Sequence, residues 1–159
     1  MAVIIDGHNL LHSINKGGPD SGPISDVRLC QVISRYLKLI DEKGEIVFDG
    51  TGPRDKSGFD NISNLEVFFA GLRSDADTVI EDKIKASTAP KRLTVVSSDR
   101  RLRDAARKRK ATVAKSEVFW NNVQKQLSRK NKVKELLAKR EGLSESETDQ
   151  WLKFFDLEQ

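Results

Sequence analysis

The sequence predicts an α/β domain built on a Rossmann-like parallel sheet of about five strands, with helices on both faces and a helical C-terminal extension. Two observations carry that expectation. Short apolar runs alternate with helical segments and lack period-two polarity, as strands buried on both faces do. Three of those runs end in aspartate, at Asp6, Asp49 and Asp99. The chain has 159 residues, enough for one domain with its own core. Its 37% hydrophobic content is polar for a globular protein but still allows that core.

Each element has a local reason. Val3–Ile5 is a short apolar run and reads as a buried strand. Asn9–Ile14 is a short helical turn, and the Gly- and Pro-rich residues 16–24 are loop. Ser25 or Asp26 caps a helix whose Cys30, Ile33, Leu37 and Ile40 fall on one face, with Gly44 expected to stop it. Ile46–Phe48 is the second strand, residues 50–61 a polar loop, and Leu65–Phe69 the third strand. A helix over Asp75–Ala86, with Ser74 as its cap, leads to a fourth strand at Leu93–Val96. Arg101–Lys110 is helical and Thr112–Ala114 is a fifth strand. Ser116 caps a long basic helix that Gly142 breaks. Ser144 and Glu147 form a capping box for a last helix. The expected division is a domain over 1–120 and a helical extension over 121–159 packed on it.

Charge is unevenly spread. Residues 1–90 hold 10 Lys/Arg and 14 Asp/Glu, net −4; residues 91–140 hold 17 and 4, net +13; residues 141–159 hold 1 and 6, net −5. A carboxylate-rich front half beside a basic block suits a polyanion partner. Apolar runs such as VFFA fall far short of the ~20 residues that span a bilayer, and the N-terminus has no signal-peptide pattern. Cys30 is the single cysteine, which excludes an internal disulfide or multi-cysteine zinc site and suits a reducing cytoplasm.

In open parallel sheets, ligands bind beyond the carboxyl ends of the strands. Asp6, Asp49 and Asp99 are expected there, joined by Asp77 and Glu81, four apart on one helix face, with Asp75 nearby. Crowded carboxylates repel, and a hard cation such as Mg²⁺ or Mn²⁺ relieves that repulsion. No GxGxxG, P-loop or GxSxG is present, so nucleotide-cradle and hydrolase-elbow chemistries lack their motifs. An aspartyl-phosphate phosphatase would place an Asp at position 8, where His8 stands. His8 and His12 are spaced to pair on a metal but lack the Glu and Cys partners of a zinc site.

Four blocks, VIIDGHNLLH at 3–12, IVFDG at 46–50, SDADTVIEDKI at 74–84 and VVSSDRRLRDAA at 95–106, resemble the YacP-like branch of the NYN domains, within the PIN-like nuclease superfamily. The resemblance covers roughly residues 1–120. It implies a PIN-like, Rossmann-like nuclease fold and metal-dependent cleavage of RNA. It maps the first-strand acid to Asp6, the following Asn to Asn9, the central-helix acid to Asp77 with Asp75 as competitor, and the fourth-strand acid to Asp99. Asp49 matches the second-strand acid position as a supporting acid, and Asp75 and Glu81 are expected as further supporting acids. Asn9 either orients a carboxylate or water through its amide, or caps the short helix. Several NYN and PIN relatives carry another acid shortly after the fourth-strand one; here Arg100, Arg101 and Arg103 intervene before Asp104, which favours one ion over two.

The expected activity is a metal-dependent endoribonuclease acting on single-stranded RNA. The alternative is a catalytically silent RNA-binding or ribosome-associated module of the same fold. Arg54 and Lys56 on the polar loop, with Arg100, Arg101, Arg103 and Arg107, are candidates to grip phosphates, although one helix cannot turn all of its arginines to one groove. Tyr36, Phe119, Trp120 and Trp151 are candidates to stack bases or to pack in the core. Lys125, Arg129, Lys130, Lys132 and Lys134 extend the basic track toward RNA or a ribonucleoprotein.

Overall fold

The computed structural model describes residues 2–16, 24–60 and 62–141. Five strands, β1 (Ala2–Asp6), β2 (Lys43–Phe48), β3 (Leu65–Phe69), β4 (Leu93–Val96) and β5 (Thr112–Ala114), form one sheet in the order β3-β2-β1-β4-β5, and every pairing is parallel. The helices are α1 (Gly7–Asn15), α2 (Asp26–Leu39), α3 (Ala76–Ala86), α4 (Arg100–Lys108) and α5 (Ser116–Glu141). The expected α/β class and five-stranded parallel sheet are therefore present.

Side chains alternate across the sheet. Ile4, Val47, Leu93 and Val95 join one core with Ile80 and Ile84 of α3 and Leu102 and Ala106 of α4. Ile5, Ile46, Phe48 and Val96, at the alternate positions, are also fully buried. On that second face α2 supplies Leu29, Ile33 and Leu37, four apart and fully buried. Each such side chain contributes about 1.5–3 kcal/mol by leaving water.

Three local expectations are corrected. Gly44 does not stop α2; it lies buried inside β2, where a Cβ would come within 2.9 Å of the Leu37 side chain and 3.2 Å of the Val3 carbonyl oxygen. The stop is made instead at Ile40 and Asp41, the latter in left-handed backbone at φ 55°. Asp75, not Ser74, caps α3, accepting from the Thr78 N–H at 2.7 Å. Asn9 does not cap α1 either, because it lies inside a helix whose cap is Asp6. Gly142, the Ser144–Glu147 capping box, Trp151 and the last helix lie outside the described residues.

The chain divides into two compact units, Met1–Trp120 and Asn121–Gln159, and α5 runs across the boundary. Among the described residues, no helix is long and apolar enough to cross a membrane.

Candidate active site

Because β1 and β4 are neighbours while their chain connections leave in opposite directions, the crevice of this sheet opens at their carboxyl ends. Asp6 ends β1 there. It is 5% exposed. One carboxylate oxygen accepts from the Asn9 N–H at 3.3 Å and the other from the Ser97 hydroxyl at 3.3 Å. Burial raises its pKa from the ordinary 3.8 to about 6; Asp77 and Asp49 push it further up, and the two hydrogen bonds pull against them. The Ser97 oxygen also accepts from the Asp99 N–H at 3.0 Å, so one buried hydroxyl links both strand-end acids.

Three helix N-termini meet at this edge, and acids cap each one, where the helix dipole favours negative charge. Asp6 caps α1. Asp99 caps α4, accepting from the Arg101 N–H at 2.8 Å. At α3, Asp75 is the cap and Asp49 accepts from the Ala76 N–H at 2.7 Å. Asp77 differs from them all. It sits half-buried in the first turn of α3 and its carboxylate takes no hydrogen bond or ion pair among the described residues. Burial first, then Asp99 and Asp75, raise its pKa, while Arg101 lowers it.

The sequence-predicted acids thus gather with one exception. Asp6, Asp49, Asp75, Asp77 and Asp99 share the edge, whereas Glu81 faces Arg101, which donates to it from Nε at 3.1 Å and also from Nη2. That pairing holds the Glu81 carboxyl below its usual range. It also occupies Arg101, one of the expected phosphate-binding residues. Arg100 and Arg107 sit 3.9 and 3.8 Å from Asp104, an exposed arrangement that leaves both available to other anions. Arg103 is half-buried, and its Nε is buried with no hydrogen-bond partner among the described residues. Arg54 and Lys56 are exposed on the loop after β2, with the Lys56 ammonium 5.4 Å from the Phe69 ring centroid.

Asn9 holds the edge together. Its side-chain oxygen accepts from the Ser98 N–H at 2.9 Å and from the Ser116 hydroxyl at 2.6 Å. Ser98 in turn accepts from the Ser116 N–H and donates to Glu117. Local spacing cannot reveal these serines, because they act across gaps of 89 and 107 residues. Their one local signal is two small polar residues, Ser97 and Ser98, directly before a strand-end acid. Tyr36 and Phe119, expected either to stack bases or to pack, are buried edge to face against each other.

The donor set suits a hard cation in its chemistry, since every candidate ligand is a carboxylate oxygen. Among the described residues no three His, Cys, Asp or Glu side chains converge as a ready-made cage. What fits is an ion that keeps several waters and takes one or two carboxylates directly, as Mg²⁺ does.

The sequence pattern of the YacP-like NYN domain matches residues 3–156. The chain belongs to that family. The match extends past residue 120, so the C-terminal segment is part of the family pattern as well as the four motif blocks. The family has the PIN-like nuclease fold. No curated protein matches the chain. Among solved structures, Rae1 (YacP) from Bacillus subtilis is similar with 18% identity, 98% of this chain and 92% of that chain covered, and a TM-score of 0.70. A tryptophan-to-leucine mutant of Rae1 gives 16% identity, 96% and 90% coverage, and 0.69. At such identity the likeness is one of fold, and it covers nearly the whole of this YacP-like NYN domain.

Proposed function

We propose that this chain is a metal-dependent endoribonuclease that hydrolyses phosphodiester bonds of single-stranded RNA in the cytoplasm, at the edge formed by Asp6, Asp77 and Asp99. The observation that carries the reading is Asp77. Every other acid at the edge satisfies a helix N-terminus, but Asp77 is half-buried, crowded by like charges and, among the described residues, without a hydrogen bond. Such a carboxylate is destabilising for the fold, and it suits a ligand that binds there.

Asp77, Asp99 and Asp6 would hold Mg²⁺ or Mn²⁺, directly or through water. A cation so placed supplies charge neutralisation at the phosphate and a more acidic water. Asn9 keeps the β1 and β4 ends in register through its contact with Ser98. Arg54, Lys56, Arg100, Arg103 and Arg107 supply positive charge along the approach of the RNA backbone. Attack by water leaves a 5′-phosphate and a 3′-hydroxyl.

One specific observation favours the alternative, a silent RNA-binding module: Asp6, Asp49, Asp75 and Asp99 already have structural work as helix-end acceptors. The same assay separates the two. Wild-type chain and Asp77→Asn are incubated with labelled single-stranded RNA and Mg²⁺ or Mn²⁺. Cleavage by wild type and a loss of about hundredfold or more in Asp77→Asn is expected, comparable to or beyond disruption of a metal's outer shell. Full activity in Asp77→Asn refutes the site, and inert wild type with intact RNA binding establishes the silent module.

A further inference from the structure

Beside the acids, the same edge carries a row of rings. His8 stands two residues after Asp6 and meets Phe48 edge to face, with centroids 5.7 Å apart and planes at 72°. Phe48 stacks on Phe69 at 5.7 Å and 25°, and Phe59 meets Phe69 edge-on at 5.5 Å. The row is tightly seated: a Cβ at Gly7 would come within 2.5 Å of the Phe48 ring. Phe48 is fully buried and Phe59 and Phe69 are half-buried, but the His8 side chain is 43% exposed. Its orientation is fixed from a second side as well. The Asp49 N–H donates to Nδ1 at 3.4 Å, and the Asp49 carboxylate lies 3.6 Å from the same nitrogen.

We propose that His8 is the platform on which the nucleobase flanking the cleaved phosphodiester stacks. The inference rests on the ribonuclease reading above and adds to it the group that receives a base. A ring held by Phe48 on one side and Asp49 on another has little rotational freedom left to lose when a base arrives. His8 stands two residues along the chain from Asp6, so a base on its exposed ring would sit within about one nucleotide's reach of a phosphate held by the acids. Stacking needs only a π-face, so any unpaired base is accepted, with purines offering the larger face. Duplex is disfavoured, because its bases already stack on one another.

The test uses a short single-stranded RNA with a fluorescent adenine analogue placed at successive positions. Binding is measured to Asp99→Asn and to Asp99→Asn with His8→Ala or His8→Phe. One position is expected to be quenched by Asp99→Asn. His8→Ala releases that quench and weakens binding about five- to tenfold, the low end for base–ring stacking. His8→Phe keeps both the quench and the affinity, since it keeps a ring. With an abasic residue at that position, Asp99→Asn and its His8→Ala derivative bind equally. Unchanged quenching and affinity in His8→Ala overturn the proposal, as does a loss in His8→Phe equal to that in His8→Ala, which would assign the contact to the imidazole nitrogens. A His8-dependent quench in a chain that cleaves nothing sinks the nuclease reading alone. Cleavage without that quench sinks this inference alone, and an absence of RNA binding sinks both.

Discussion

Replacing Asp6 by asparagine should stabilise the protein, and the gain should depend on pH in a defined direction. In the folded chain the Asp6 pKa is raised from 3.8 to about 6, with burial as the largest cause. Below the unfolded pKa both states hold the proton and the shift costs nothing. Between 3.8 and about 6 the unfolded state ionises while the folded state does not, so the wild-type fold loses stability as pH rises. The loss attributable to this group is about 1 kcal/mol at about pH 4.5 and about 3 kcal/mol at about pH 7.5, where it levels off. At 5% exposure, solvent screening gives little relief. Asparagine is as good a helix cap and keeps the acceptor for the Asn9 N–H. It gives up the Ser97 hydrogen bond, at about 1 kcal/mol. The two proteins should therefore be about equally stable near pH 4.5. Asp6→Asn should be about 2 kcal/mol more stable near pH 7.5, a rise in Tm of about 4–8 °C. Thermal unfolding followed by circular dichroism across that range, without divalent ions, measures it. Adding Mn²⁺ should narrow the gap by favouring the ionised wild type. A difference that does not change with pH, or an Asp6→Asn protein less stable at pH 7.5, would refute the reasoning.

Three further outcomes are expected. Replacing Arg100, Arg101 and Arg103 by alanine on the Asp99→Asn background should weaken RNA binding and flatten the salt dependence of log affinity. Because Arg101 is already paired with Glu81, the slope should change by about 1.4, the value for two phosphates, rather than by about 2 for three; an unchanged slope in a filter-binding titration would assign these arginines to ordinary surface. Asn9→Ala strands the Ser98 N–H and the Ser116 hydroxyl, and urea titration should show a loss of about 1–3 kcal/mol; a loss below about 0.5 kcal/mol would mean that water replaces the amide. Gly44→Ala should cost about 1–3 kcal/mol, because a backbone carbonyl oxygen beside the new Cβ has little room to yield, and an unshifted denaturation midpoint would show that the sheet gives way.

The sheet was readable because its strands are apolar on both faces. Leu65–Phe69, Leu93–Val96 and Thr112–Ala114 appear with their predicted limits. The acids were readable because a strand-end Asp leaves a local mark. Gly44 misled because glycine ends helices more often than it fills a strand. In this chain the close approach of Leu37 is what requires it, and that contact is tertiary. Ser74 misled because either of two adjacent residues can serve as a cap, and only backbone direction decides between them. The roles of Asn9, Ser97 and Ser116 were hidden for a different reason. Their hydrogen bonds join segments on opposite sides of the chain's crossovers, and no periodicity encodes them. The pairing of Arg101 with Glu81 was hidden in the same way, so a residue expected to face RNA is turned toward an acid of its own fold.

The central position of β1 has a consequence for the order of assembly. As the chain emerges, β1 can pair with β2 after about one crossover, but its other edge stays open until residues 93–96 arrive as β4. Contacts so distant in sequence form late, because loop closure must precede any gain from them. Ser97, which covers Asp6, arrives with that same segment. A nascent chain shorter than this lacks the Ser97 hydroxyl that donates to Asp6 and lacks Asp99 at the edge. The acidic edge is therefore completed in a single late docking event. Asp99 joins the edge in the same event, so any activity of the edge has to wait for synthesis to pass the fourth strand.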